Sequence, residues 1–213
     1  VNPLSSGNGL PALACRRFSF GPVTADPLQS PWPEILSVSL VETVTGQPPV
    51  QATSVKVGWD GDTLRILFSV VDDSIVANHT QRNAPLYEEE VVEVFLDPTG
   101  EEGAMAYFEI EVNPNNAVLD LVLRRIATGW RRDWAWECEG LQTAVQRHPH
   151  GWTAELAIPI ASISALPPQR RWRVNLFRID RPSEGPRELS AWSPTGVANF
   201  HRPERFGILE LLD

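Results

Sequence analysis

Apolar and polar residues alternate with period two along most of the chain from residue 55 onward, the pattern of strands that turn one face to a core. VKVGW (55–59), LRILFSVV (64–71), VVEVFLD (91–97), AYFEIEV (106–112) and VLDLVL (118–123) carry it first, and LQTAVQ, WTAELAI, WRVNLFRI and FGILEL continue it to the end. Turn formers separate the segments: Asp60-Gly61-Asp62, Asp97-Pro98-Thr99-Gly100 and Asn113-Pro114-Asn115-Asn116. Roughly nine strands joined in this way predict an all-β fold, an antiparallel β-sandwich of immunoglobulin-like or jelly-roll-like two-sheet architecture with little helix. Helical periodicity is confined to Ile160–Leu166, where Pro159 suits helix entry and Pro167-Pro168 a stop.

The first fifty residues are rich in Pro, Ser and Gly, and within them only LSVSLV (36–41) reads as a strand. The expectation is one domain over 1–213, in which residues 1–50 wrap a core sandwich spanning 53–211. No apolar stretch approaches the eighteen or so residues of a membrane helix, so no membrane partner is expected. A net charge of −9, with only isolated pairs such as Arg131-Arg132 and Arg170-Arg171, argues against nucleic acid. The opening VNPLSSGNGL lacks the pattern of a signal peptide, which fits a soluble protein, either cytoplasmic or secreted with its signal already absent. Cys15 and Cys138 allow one bridge at most and no disulfide framework.

Candidate chemistry centres on LYEEEVVEVFLDP (86–98). Glu88, Glu89 and Glu90 precede the strand, and Glu93 lies inside it on the face opposite Val92, Val94 and Leu96, flanked on its own face by Val91 and Phe95. A carboxylate there must be solvated in a cleft or paired, because an unpaired buried charge is costly. Glu109, Glu111 and Asn113 repeat the same phase, and Arg173 and Arg178 are candidate cations for this polar row. Structural pairing and ligand binding both remain open for it. Paired carboxylates are also what glycoside hydrolysis needs, which makes a sugar-active hydrolase one alternative. No G-x-S-x-G elbow, glycine-rich phosphate loop or Cys/His signature is present. Asp72-Asp73, Asp97 and Asp120 stand near strand ends, where oxygen ligands could hold a structural calcium, although no EF-hand spacing occurs. Met105, the sole methionine, gives a second alternative, a haem-binding electron-transfer sandwich with Met105 as axial ligand.

Eight tryptophans stand against two tyrosines, with Trp130, Trp134 and Trp136 crowded into GWRRDWAWE and Trp192 in SAWSPTG. Flat aromatic faces stack on the C–H faces of sugar rings, while carboxylates, amides and arginines meet the hydroxyls. Tyr87 and Trp192 fall in the two long loops near such polar groups.

These segments together, VGWDGDTLRILFSVVDDSI, RNAPLYEEEVVEVFLDP, AYFEIEVNPNNAVLD, GWTAELAIPI, RWRVNLFRID and NFHRPERFG, resemble carbohydrate-binding module family nine, in particular its family-nine-like, single-domain branch in bacteria. The resemblance covers about Thr53 to Leu211. It implies a non-catalytic sandwich that grips a sugar end between two aromatic side chains from opposing loops, with xylan and cellulose fragments as natural ligands and structural calcium known in the family. Residue by residue, it implies Tyr87 and Trp192 as the clamp, with Glu93, Glu111, Asn113 and Arg178 receiving hydroxyls. His201, within NFHRPERFG, is assigned to closing the fold. The departure is Tyr87, which stands where a tryptophan is expected and offers less stacking area.

Overall fold

Period-two alternation resolves into strands along the chain, as the computed structural model shows for residues 4–5 (backbone), 9–101, 103–165 and 168–213. In order they are β1 (Leu4–Ser5), β2 (Pro11–Arg16), β3 (Ser37–Ser39), β4 (Val41–Glu42), β5 (Thr53–Trp59), β6 (Thr63–Val71), β7 (Val91–Asp97), β8 (Ala106–Val112), β9 (Val118–Ile126), β10 (Gly129–Asp133), β11 (Gln142–His148), β12 (Gly151–Pro159), β13 (Arg171–Asp180), β14 (Glu188–Ala191) and β15 (Gly207–Leu212). The bounds of β7 and β8 coincide with the alternating segments. Among the strands that form where no alternation is visible, β10, β14 and β2 each do so for its own reason. β10 is an edge strand with polar residues on both faces, β14 is only four residues long, and β2 takes its place by parallel pairing with β15.

The strands form two sheets, and the fold is the β-sandwich expected. The larger runs β1-β2-β15-β13-β7-β8-β9-β10, with β14 and β4 beside the second half of β13; the smaller runs β11-β12-β6-β5-β3. All named pairs are antiparallel except β2 with β15. The helix is a single turn, α1 (Ile160–Ile163), which ends where Ser164 turns extended; Leu166 and Pro167 lie outside the described residues.

The main core lies between the sheets. Val92, Val94 and Leu96 of β7, Ile110 and Val112 of β8, and Trp172, Val174 and Leu176 of β13 pack with Val55 and Val57 of β5, Ile66 and Phe68 of β6, and Trp152 and Leu156 of β12. Burial at about 25 cal/mol per Å² makes this layer the dominant favourable contribution. The turn after β7 requires glycine at position 100, whose φ is +68° and whose added Cβ would lie 2.3 Å from the carbonyl oxygen of Arg171.

Both outer faces are also partly covered. On the small sheet, Trp32 and Ile35 with Phe18 and Phe20 close over Leu67, and the buried Arg65–Glu155 pair is completed by the Thr24 and Ala25 amides donating to Glu155. On the large sheet, Phe200 and Phe206 from the loop between β14 and β15 cover Phe95, Tyr107 and Phe177, with Phe177 and Phe200 stacked at 4.1 Å. Cys15 and Cys138 are buried free thiols, and burial pushes the Cys138 thiol up to about 12. Among the described residues no helix is long and apolar enough to cross a membrane.

Candidate functional site

The aromatic cover on the large sheet is incomplete, and where it stops a cleft of about 460 Å³ opens above β7 and β8. Its floor follows from strand alternation. With Val92, Val94, Ile110 and Val112 turned into the core, Glu93, Glu109 and Glu111 must project to the opposite face. Glu93 stands directly across from Glu111 in the β7–β8 register, and Glu109 sits two pairs along on the same face, opposite Phe95. One oxygen from each carboxyl lies within 4.8 Å of the others, a spacing that admits one cationic group at the centre.

All three carboxyls are deeply buried, at 2%, 4% and 0% exposure for Glu93, Glu109 and Glu111. Among the described residues no N–H or hydroxyl donates to Glu93 Oε1, Glu109 Oε2 or either oxygen of Glu111, and Glu109 and Glu111 can partner one another only by sharing a proton. Burial pushes Glu93 well above the ordinary carboxylate range, and the charge of Glu109 pushes it further. Glu111 is raised likewise, by burial and then by Glu93 and Glu109, whereas Glu109 is raised by burial to about 7, opposed first by a hydrogen bond shared with Glu111 and then by Arg132. Like charges opposed across a strand pair repel, so the floor is an unsatisfied acceptor surface.

Loops and strand ends build the walls. Tyr87 comes from the 3₁₀ turn Leu86–Glu88, and Arg187, just before β14, donates to its backbone carbonyl at 2.9 Å. Arg132 lies on β10, and Trp134 directly follows that strand. Both Tyr87 and Trp134 line the cleft while remaining 40% and 47% exposed. Asn199, Phe200 and His201 complete the rim. An Arg132 N–H can only donate, so the His201 Nε2 atom 3.2 Å away accepts and its Nδ1–H donates to the Tyr107 hydroxyl at 2.9 Å. Burial and Arg132 lower His201 to about 4, which keeps it neutral near pH 7. Its ring stacks on Phe95 at 5.4 Å, so His201 both braces the aromatic cover and faces the cleft.

Three of the six residues expected at the site are here, Tyr87, Glu93 and Glu111, and three are elsewhere. Trp192, expected in the clamp, is a core residue at 5% exposure, with its ring where a Cβ on Gly207 would sit. Arg178 has the opposite strand phase to Glu93. It is fully buried on the core side, donating to Glu90 at 2.9 Å and Asp72 at 3.2 Å and lying 3.4 Å from Asp180. Asn113 is used by its turn: Oδ1 accepts from the Asn115 and Ala117 amides, and Nδ2 donates to the His79 carbonyl. Arg173, the other candidate cation for the glutamate row, instead donates to the Pro203 and Glu204 carbonyls. Trp134, Arg132 and Arg187 take those places in the lining. The tryptophan crowding in GWRRDWAWE was the available signal, obscured because three tryptophans competed for it.

The aspartates considered for calcium have other partners. Asp72 belongs to the Arg178 group, Asp97 accepts from Thr99 within its turn, and Asp120 pairs with Arg82 and accepts from the Cys138 amide. Asp72 also stands with Glu90 and Asp180 in a carboxylate group whose oxygens lie within 4.8 Å of one another, where Arg178 already supplies positive charge. Met105 is 71% exposed and is not among the residues lining the cleft.

The protein family described as carbohydrate family 9 binding domain-like matches residues 27–213. Among solved structures, a candidate carbohydrate-binding protein from Bacteroides uniformis ATCC 8492 superposes with a TM-score of 0.74 at 18% identity, covering 94% of this chain and 98% of the other. A family 9 carbohydrate-binding module from Caldicellulosiruptor kristjanssonii is similar in two complexes. With cellotriose the TM-score is 0.71 at 17% identity, covering 94% and 93% of the two chains; with glucose it is 0.69 at 18%, covering 94% and 95%. No curated protein gave a significant match.

Proposed function

The chain belongs to the carbohydrate family 9 binding domain-like family, and on that premise we propose that it binds carbohydrate in the cleft above β7 and β8, with Tyr87 and Trp134 as the aromatic pair. One observation carries this reading. Two aromatic side chains that a soluble fold would ordinarily bury stand exposed at the mouth of a cleft with a polar floor. Sugar rings have the matching character, apolar C–H faces edged with hydroxyls. Arg132, Arg187 and Asn199 supply donors along the walls, and the glutamates supply acceptors beneath. The structural relatives in complex with cellotriose and glucose support the same ligand class. A cleft of this size suits the end of a chain, one or two rings deep, and the reading is of binding without chemical change.

Titration of tryptophan fluorescence with cellotriose and xylotriose tests it. A saturable change is expected in the wild type and is lost in Trp134→Ala and Tyr87→Ala, but kept in Trp192→Phe, which alters only the core. Binding that survives both cleft variants would place the ligand elsewhere, and release of reducing sugar would make the paired carboxylates hydrolytic.

A further inference from the structure

The donor and acceptor balance of the cleft is lopsided, and a neutral sugar does not correct it. Three buried carboxyls with four unpartnered oxygens form the floor, and only Arg132 and Arg187 among the lining residues carry positive charge. With all three carboxyls ionised, three carboxylates against two guanidiniums leave one negative charge beside a neutral His201; burial and mutual repulsion hold protons on the trio while the cleft is empty, so a bound cation takes the place of a proton. The missing partner is a compact monocation with several N–H donors.

Resting on the sugar-binding reading, we propose that the cleft selects a sugar end bearing a free amine, with its ammonium seated among Glu93, Glu109 and Glu111. An ammonium has three donors for three carboxylates whose oxygens lie within 4.8 Å of one another, close to the spacing of acceptors around one tetrahedral nitrogen. It supplies the one charge the cleft lacks. Tyr87 and Trp134 would hold the ring that carries it. A divalent ion suits the place less well. Calcium takes roughly six to eight oxygens, often including backbone carbonyls. β7 and β8 are interior strands paired on both sides, so the carbonyls around the trio are committed to the sheet. Among the described residues no arginine or lysine fills the role, since none donates to the four oxygens.

Calorimetric titration of the whole chain near pH 7, with a glucosamine trimer, its fully N-acetylated counterpart and cellotriose, tests the proposal. Charge-assisted hydrogen bonds contribute enough that the glucosamine trimer is expected to bind roughly tenfold tighter than cellotriose, at one site per chain. Acetylation, which removes charge and two donors, abolishes the advantage. In Glu111→Gln, and separately in Glu93→Gln, the ratio of the two affinities falls towards one, with thermal melts confirming folded protein. Cellotriose binding as tightly as the glucosamine trimer overturns the proposal and leaves the sugar-binding reading standing. Failure of every sugar to bind folded protein overturns both. Sugar binding that requires added calcium and disappears with a chelator makes the trio a metal site and also overturns it.

Discussion

Two trios of buried carboxyls among the described residues lie on opposite faces of the large sheet, and one of the two is given its cation by the fold. Asp72, Glu90 and Asp180 gather around Arg178, whose guanidinium also donates to the Gln51 and Val71 carbonyls. Glu93, Glu109 and Glu111 are as deeply buried, yet among the described residues no cationic side chain donates to their four orphaned oxygens. One residue of phase on β13 makes the difference: Arg178 points coreward between Phe177 and Ile179, which face the cleft side. A carboxyl cluster with an internal cation holds the structure together. A cluster left without one, beside an opening, is directed at something from outside.

The largest effect expected from this contrast is at Arg178. Arg178→Met leaves three buried acids without countercharge and should cost roughly 3–5 kcal/mol in urea unfolding. A loss below about 1 kcal/mol, the scale of an exposed pair, would remove the distinction between the trios.

Next comes pH. Glu109 is raised from 4.5 to about 7, so the folded protein retains a proton that the unfolded chain releases. Stability therefore falls as pH rises from about 4.5 through 7, by on the order of 3 kcal/mol for this group. Glu93 and Glu111, shifted the same way, add to the fall; Arg132 and Arg187 oppose it. Glu90, pushed by burial up to about 8 against the pull of Arg178, contributes in the same window from the other trio. Glu111→Gln isolates the cleft share: denaturant midpoints across pH should show a shallower decline and a more stable protein on the alkaline side. An equal slope in wild type and variant would assign the effect to Glu90.

The smallest effect sharpens the contrast at the cleft mouth. Trp134→Ala removes a side chain that is 47% exposed and should change unfolding free energy by less than about 0.5 kcal/mol while removing ligand response. A large destabilisation would reclassify Trp134 as part of the aromatic cover.

Strand identity and facing were legible because alternation is a local signal: Glu93, Glu109 and Glu111 were placed on one outward face from phase alone. The same rule separates Arg178 from them, since β7 and β13 pair with Glu93 opposite Phe177 rather than Arg178, but register between strands far apart in sequence is not a local property. Trp192 was misplaced for a related reason. It follows β14, a strand too short to show a period, so nothing in SAWSPTG revealed that its ring would fill the space left by Gly207. Trp134 was visible as one of three tryptophans near β10, and only the sheet order shows which of them reaches the cleft.

The division of the cleft between strand and loop also bears on how readily its specificity can be altered. The floor residues sit in the middle of strands hydrogen-bonded on both sides, while Tyr87, Trp134, Asn199 and Arg187 come from turns and loops outside the strands. Loops tolerate substitution and length change far better than interior strands. A library that varies these wall segments over a constant glutamate floor would explore new ligands without reopening the folding problem, which makes the domain a scaffold for engineered recognition.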